Sequence, residues 1–293
     1  MSIAVPSPIG KRSRGASIKD GAFRAVLLFS VAIGFVLLGW LIVTVVRKGL
    51  PYLDTLLFTN VNSTNPDRAG ARPAILGTIY LMVLVLLMAV PIGVGTALYL
   101  EEYADRNRWY NRALEINIQN LAAVPSIVYG LLGLAFVARG VLHLGFVMLT
   151  GAIILTLLAL PILIVSSREA IRAVPDSIRQ GAYALGATQW QVIWRQVLPA
   201  AIPGIATGSI LALARAIGET APLLLLGALI FVPFDPGLFS HFTALPVQIY
   251  QWIQLPQSEF RGLAAAAIVV LLGLLLILNA GAIWLRNRYQ RRW

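Results

Sequence analysis

The sequence contains several uninterrupted apolar runs, each long enough to cross the hydrocarbon core of a bilayer, which takes about 20 helical residues. Hydrophobic residues make up 58% of the 293 residues and charged residues only 12%, whereas a soluble domain has about 25% charged residues. Inside a bilayer every backbone N–H and C=O group must find a partner within the protein, and a helix supplies these partners locally. The sequence therefore predicts an all-α polytopic membrane protein.

The positions of the apolar runs predict six transmembrane helices. Their expected bounds are 25–46, 74–99, 118–137, 145–165, 202–231 and 262–285. The first run is too long for a signal peptide and is followed by Arg47 and Lys48 instead of a small-residue cleavage site, so we expect it to remain in the protein. We expect residues 1–24, which are mostly polar, to form a loose cytoplasmic tail, and residues 25–293 to form the transmembrane domain.

The distribution of positive charge predicts the orientation of the chain. The net charge is +11, and most Lys and Arg residues fall in the N-terminal tail, in the loops after the second and fourth predicted helices, and at the C-terminus. Loops rich in Lys and Arg face the cytoplasm. We therefore expect both termini and the long fourth loop to be cytoplasmic. The basic composition reflects this topology and gives no reason to expect a nucleic-acid partner.

Several classes of chemistry are excluded or disfavoured by the residues present. There is no cysteine, so disulfides, thiolate metal sites and cysteine nucleophiles are absent. His143 and His241 fall in different predicted external segments, and neither has a second ligand at helical spacing, so we expect no metal site. The chain has no GxxxxGK[ST] loop to bind nucleotide phosphates. Any energy that the protein uses must come from elsewhere.

The fourth loop, at about 167–199, predicts short helices separated by turns. Ser167 is placed to cap a helical stretch, which Pro175 interrupts. The stretch 177–185 then has one small apolar face, formed by Ile178, Gly181, Ala182 and Leu185. Gly186 follows where a helix end adopts positive φ, and Thr188 is placed to cap another helix that Pro199 would stop. The loop is expected to form a compact knob on the cytoplasmic side.

On its residues alone, this loop is equally well explained as an interfacial segment with Trp190 and Trp194 at the lipid headgroups. Its sequence, however, resembles the coupling loop of ABC-importer permease subunits, whose pattern is E-A-A-x3-G-x9-I-x-L-P. The candidate coupling residues are Gln180, Gly181, Ala182, Leu185, Gly186, Ala187, Thr188, Leu198 and Pro199. The chain departs from the pattern in having Gln180 for Glu, Gly181 for Ala and Gln196 for Ile.

This resemblance implies a type I ABC-importer permease (MetI-like) fold with six transmembrane helices in a bacterial cytoplasmic (inner) membrane. It implies that the loop seats in a groove on a dimer of cytoplasmic ATPase subunits, which use ATP and Mg, while this chain binds no cofactor and catalyses no reaction. It further implies two other partners, a second homologous permease subunit and an extracytoplasmic binding protein.

The fifth predicted helix contains a charged pair, Arg215 and Glu219. One charge at the centre of a bilayer costs ~2.5–3.5 kcal/mol on insertion scales, so the pair needs an explanation. Residues four apart share a helix face. Helix geometry also places six residues within an arc of about 80°, and together they form a stripe along the helix: Gly204, Gly208, Ala212, Arg215, Glu219 and Pro222. Two interpretations remain open. The pair neutralises itself and the glycines form a helix-packing seam, or the stripe lines a path in which Arg215 meets an anion.

The run 215–222, Arg-Ala-Ile-Gly-Glu-Thr-Ala-Pro, resembles the equivalent helix in permeases of bacterial high-affinity phosphate importers. The segment 242–250 is similar to the A-type permease subunit of that system, whose partner is the C-type subunit. The resemblance implies that phosphate passes Arg215, Glu219 and Thr220. The alternatives are a permease for another oxyanion or small solute, and a secondary transporter driven by an ion gradient. The latter more often shows internal repeats, and the two halves of this chain show none.

Overall fold

The computed structural model describes residues 14–105, 107–226 and 232–289, which contain helices and no strand. The α-helices are α1 (Arg14–Gly49), α2 (Thr55–Thr59), α3 (Arg72–Leu98), α4 (Trp109–Ala122), α5 (Ser126–Leu132), α6 (Met148–Arg172), α7 (Asp176–Ala184), α8 (Gln189–Val192), α9 (Leu198–Gly218), α10 (Ala221–Leu225), α11 (Leu245–Gln254) and α12 (Ser258–Tyr289). Wide π-helical turns continue three of them, at Tyr99–Tyr103, Gly133–Ala138 and Ile193–Val197.

Five helices of the described chain are long and apolar enough to cross a membrane, and a sixth span results if one bent pair is counted as a unit. This confirms the predicted all-α class. α1 begins at Arg14, well before the expected start at residue 25. α6 continues to Arg172, so the prediction that Ser167 caps a new helix is wrong. Ser167 lies inside α6, because no residue around it interrupts the helix before Arg172. Its side chain is buried.

The third predicted span is not a straight helix. The segments Trp109–Ala122 and Ser126–Ala138 meet at an angle of 108°. Pro125 has extended backbone angles, φ −56° and ψ 136°, at the start of α5. Proline lacks an N–H group and disfavours the helical conformation in the residue before it. The bend at 123–125 follows from this residue.

The fifth predicted span, 202–231, is also broken. α9 ends at Gly218, and α10 begins at Ala221 with Pro222 in its first turn. In a continuous helix the ring of Pro222 would clash with the carbonyl of Gly218 and leave it without a donor. The predicted end of this span, at 227–231, lies outside the described residues.

α6 forms the centre of the bundle, with most of its apolar window buried. It packs against α3 and α9 through a core cluster that includes Leu81, Val85, Met148, Leu155 and Leu213. The apolar window of α1, by contrast, is not buried against the rest of the described chain. α1 meets the body near its C-terminal end, where a Cβ atom at Gly49 would touch the backbone of Ala265 in α12.

The segment after residue 232, which the charge distribution predicts to be external, folds over the bundle instead of forming a plain linker. Trp252 of α11 is buried, packs against Phe260 and donates from Nε1 to Oδ1 of Asn62 at 3.3 Å. The backbone N–H of Leu245 donates to the hydroxyl of Thr78 in α3 at 2.8 Å. α11 is therefore held against the N-terminal part of α3.

Glycine 77 of α3 makes this contact possible. A Cβ atom at Gly77 would collide with the carbonyl oxygen of Thr243, whereas no heavy atom lies within 4 Å of a Cβ atom placed at Gly95 of the same helix. We expect Gly77→Ala to lower the free energy of unfolding by about 1–3 kcal/mol, the usual effect of overpacking. Gly95→Ala should be neutral or stabilising by up to ~1 kcal/mol, because Ala is the better helix former. Thermal unfolding of the detergent-solubilised protein, followed by size-exclusion chromatography, compares the two; equal stabilities would contradict the assignment of Gly77 to a packing contact.

Candidate functional site

The segment 176–199 forms the helix–turn–helix that the sequence predicts. Pro175 precedes α7 with an extended ψ of 138°, so α7 is separate from α6, which ends at Arg172. Gly186 has φ +83°, and two backbone bonds close the turn, from Gly186 N–H to Tyr183 O at 2.9 Å and from Ala187 N–H to Ala182 O at 3.1 Å. This is the Schellman pattern of a helix C-terminus. The expected positive φ at Gly186 is confirmed.

Thr188 begins the next helix through a capping box. Its hydroxyl accepts from the N–H of Gln191, and the side chain of Gln191 accepts from the N–H of Thr188 at 3.0 Å. The predicted stop at Pro199 is wrong. α8, the π turn and α9 form one continuous helical rod, Gln189–Gly218. Pro199 lies inside this rod, directly after the π turn Ile193–Val197, so its missing N–H group does not end the helix.

The knob uses its apolar residues in a different way from the prediction. Ile178 and Ala182 pack on a core cluster under the segment, which includes Ile171, Val192 and Val197. The other two residues of the expected face are not part of that contact. Gly181 is exposed, and Leu185, at the C-cap of α7, is 90% exposed.

The exposed positions form the outer surface of the knob, which we call the docking surface: Gln180, Gly181, Leu185, Gly186 and Thr188. Ala187, Leu198 and Pro199 are partly buried beneath it. Trp190 and Trp194 are exposed, with ring centroids 5.1 Å apart. An exposed leucine beside a fixed glycine turn is suited to insertion into a groove on another protein.

Sequence reasoning missed a set of ion pairs beneath this segment. Glu101 and Glu102, in the π turn that continues α3, contact Arg168 and Arg172 of α6 and Arg179 of α7. Two adjacent acidic residues at the end of an apolar run, together with regularly spaced arginines in the next basic loop, were the available signal.

Arg215 and Glu219 form an ion pair across the end of α9. Arg215 lies in the last turn of the helix, while Glu219 follows it with φ −79° and ψ 117°. The Nε atom of Arg215 and the Oε1 atom of Glu219 are 3.6 Å apart, with side-chain exposures of 44% and 20%. The prediction that both lie on one continuous helix face is wrong, because the helix ends between them. Thr220 is at the N-cap of α10 and partly buried.

The predicted stripe divides into two parts. A Cβ atom at Gly204 or Gly208 would collide with α6, at Ala170 and Ser166 respectively, and Ala212 is buried in the core. These small residues therefore form a helix-packing seam. Only the charged end of the stripe is not packed against α6. At that end α5 lies close to α10, because a Cβ atom added at Gly130 would approach the Cα atom of Pro222 to 2.7 Å.

A cavity of about 670 Å³ lies between α3, α9 and α12, but its lining is almost entirely apolar, with Ser209 and Asn279 as its polar side chains. Arg215 and Glu219 are not part of that lining. An oxyanion would lose its hydration there without gaining hydrogen bonds. The described residues also contain no cluster of His, Asp or Glu with which to hold a metal ion.

Comparisons with known proteins agree with this architecture. Residues 89–291 match the family described as the binding-protein-dependent transport system inner membrane component. The phosphate transport system permease protein PstA of Yersinia pestis is 34% identical over 87% of this chain and 87% of its own length. PstA of Haemophilus influenzae is 35% identical over 85% of this chain and 87% of its own.

The fold is also similar to a solved structure. A chain of a bacterial alginate ABC transporter, crystallised with an alginate pentasaccharide-bound periplasmic protein, superposes with a TM-score of 0.67 at 18% identity. The match covers 93% of this chain and 96% of the other. The predicted fold class of an ABC-importer permease is confirmed.

The two glycines of the knob provide a test of its geometry. No heavy atom lies within 4 Å of a Cβ atom added at Gly186 or at Gly181, but only Gly186 has positive φ. Gly186→Ala should destabilise the turn by about 1–2 kcal/mol, the strain of a left-handed residue, and increase amide hydrogen exchange at residues 186 and 187 by about five- to thirtyfold. Gly181→Ala, inside α7, should not increase it. Equal exchange in the two variants would contradict this account of the turn.

Proposed function

Because the chain belongs to the family of binding-protein-dependent transport system inner membrane components, we propose that it is the A-type permease subunit of an ATP-driven phosphate importer. The observation that carries the cargo assignment is the similarity to phosphate permeases over most of the chain, including the region of Arg215 and Glu219. In this family the transport subunit is not an enzyme, and ATP is hydrolysed by a separate subunit. A secondary transporter driven by an ion gradient is therefore excluded.

The geometry at the end of α9 supports a role for Arg215 in the phosphate path. A guanidinium has five N–H donors in a planar fork that matches the oxygens of phosphate. At 3.6 Å the contact with Glu219 is an ion pair without a close hydrogen bond, so donors remain for an anion. Glu219 lowers the net charge of the site and thereby favours release. Thr220 adds a hydroxyl next to the pair.

The exposure of Arg215 supports a path shared with a second permease subunit. Its side chain is 44% exposed, although a charge facing lipid costs ~2.5–3.5 kcal/mol. A second, homologous permease (the C-type) facing this end of α9 would cover the arginine and complete a polar path. Phosphate would reach it from an extracytoplasmic binding protein.

The docking surface is the proposed contact for the cytoplasmic ATPase dimer. This assignment implies that both termini and the segment 176–199 face the cytoplasm, as the charge distribution predicts. Motion of the ATPase subunits would then act on the knob, and the rod Gln189–Gly218 connects the knob directly to Arg215.

Replacement of Arg215 tests the cargo assignment. We expect Arg215→Gln to reduce phosphate uptake at least about tenfold in cells that lack other phosphate systems, because loss of a charge-assisted pair of hydrogen bonds removes about 1.5–3 kcal/mol. Arg72→Gln is the matched control, since Arg72 forms an exposed ion pair with Asp235 at the outer end of α3. Normal uptake by Arg215→Gln would remove this residue from the path. If unlabelled sulfate inhibited uptake and unlabelled phosphate did not, the cargo would be another oxyanion.

Replacement of Leu185 tests the docking surface. Leu185→Asp would place a carboxylate in an apolar groove, which is strongly unfavourable, so the ATPase subunit should no longer co-purify with the permease. Leu142→Asp is the control, because Leu142 is also exposed but lies in the predicted external loop. Retention of the ATPase by Leu185→Asp would contradict the assignment of this surface.

A further inference from the structure

The cytoplasmic end of α3 continues into the π-helical turn Tyr99–Tyr103, which presents two adjacent carboxylates, Glu101 and Glu102. Successive side chains on a helix point about 100° apart, so the two carboxylates face different neighbours. Glu101 faces α6 and Glu102 faces α7. One short turn therefore connects α3 to two elements that are distant in sequence.

Glu101 joins α3 to the end of α6. The Nε atom of Arg168 and the Nη2 atom of Arg172 each donate to its Oε1 atom at 2.8 Å. Arg168 also donates to Glu115 of α4 at 2.9 Å. The side chains of Glu101 and Arg168 are only 3% and 9% exposed, so water screens this contact little.

Glu102 joins the same turn to the docking segment 176–199. The Nη2 atom of Arg179 in α7 donates to Oε1 of Glu102 at 2.9 Å and to the backbone oxygen of Ile171 at 3.0 Å. Both charged side chains are largely buried. At the start of α8, Nε2 of Gln189 donates to the backbone oxygen of Glu102 at 2.6 Å. Both helices of the segment are thus attached to one residue of α3.

Fold stability alone does not explain these contacts. Buried ion pairs lose so much hydration that apolar residues of similar size are often as stabilising. Charge-assisted hydrogen bonds do, however, fix direction and distance more tightly than apolar contacts. α7 needs such fixing, because it has turns at both ends, at Pro175 and Gly186, and packs on the cluster beneath it through Ile178 and Ala182.

We propose that Glu101, Glu102, Arg168 and Arg179 are positioning residues that clamp the docking segment to α3 and α6. The inference rests on the proposed contact between the docking surface and the ATPase. With the clamp, a displacement of the knob moves α3 and α6 as well as the rod. Without it, α7 tilts about its two turns, and ATP is hydrolysed with little movement of the bundle.

The test uses the purified complex of both permeases and the ATPase in liposomes, with the binding protein added, and measures phosphate transported per ATP hydrolysed. Residues that couple two sites typically contribute 0.5–2 kcal/mol, so Glu102→Gln should lower this ratio about two- to thirtyfold while the ATPase still co-purifies. Arg179→Met should do the same, and Arg179→Lys should recover part of the ratio. The matched control is Glu169→Gln, since Glu169 is an exposed partner of Arg172 at 3.3 Å and should leave the ratio unchanged.

A cross-link separates positioning from a general loss of structure. The chain has no cysteine, so Glu102→Cys with Arg179→Cys provides one defined pair of thiols. A flexible bifunctional thiol reagent that joins them should raise the ratio of the double variant toward that of the unmodified protein. The same reagent should not affect either single variant.

The outcomes are distinguishable. An unchanged ratio in Glu102→Gln and Arg179→Met, or no recovery on cross-linking, overturns the clamp while leaving the docking surface intact. If Leu185→Asp keeps its ATPase, the proposed docking contact fails, whatever the clamp variants show. If the clamp variants lose the ATPase altogether, these residues maintain the docking surface itself and the coupling role is wrong.

Discussion

Backbone groups inside a bilayer must be hydrogen-bonded within the protein, and this constraint decides where the helices of this chain can break. The bend at 123–125 frees carbonyl groups at the end of α4, and the hydroxyl of Tyr129 donates to one of them, that of Leu121, at 2.8 Å. α5 in turn packs on α10, beside the second break. The two broken spans thus cover each other, and the charged pair lies at that meeting point.

The prolines show why the sequence predicts the spans but does not decide which of the prolines break them. Pro91, Pro161 and Pro203 lie inside continuous helices, whereas Pro125 and Pro222 coincide with breaks. Apolar length identifies a span, because it depends only on composition over about 20 residues. Whether a proline interrupts the helix depends on which neighbour satisfies the freed carbonyl, and a single sequence does not contain that contact.

The candidate site also has parts that the sequence predicts and parts that it does not. The glycine turn at 186 and the cap at Thr188 were predicted, because each depends on backbone geometry within a few residues. The clamp was not, because Glu102 and Arg179 are 77 positions apart and no local pattern pairs them. The prediction of the apolar face of α7 was correct for half of its residues. Helical spacing selected Ile178 and Ala182 correctly, but it also included Leu185, which lies at the helix end and is exposed instead of packed on the core cluster.

The break after Gly218 determines which residues can move together with the rod. From Gln189 to Arg215 the rod spans about 40 Å at 1.5 Å per residue, so a displacement of the docking segment reaches Arg215 along one helix. Glu219 lies beyond the end of the helix and belongs to the segment that continues into α10, which packs on α5. An axial shift or rotation of the rod therefore changes the distance between Arg215 and Glu219, which a continuous helix would have held fixed. A rod attached only at its tip could tilt without such a shift, and the attachment of both α7 and α8 to Glu102 opposes that tilt. The contacts of Glu102 and the break after Gly218 are thus complementary. The contacts hold the end of the rod at the docking segment, and the break leaves Arg215 free to move relative to Glu219.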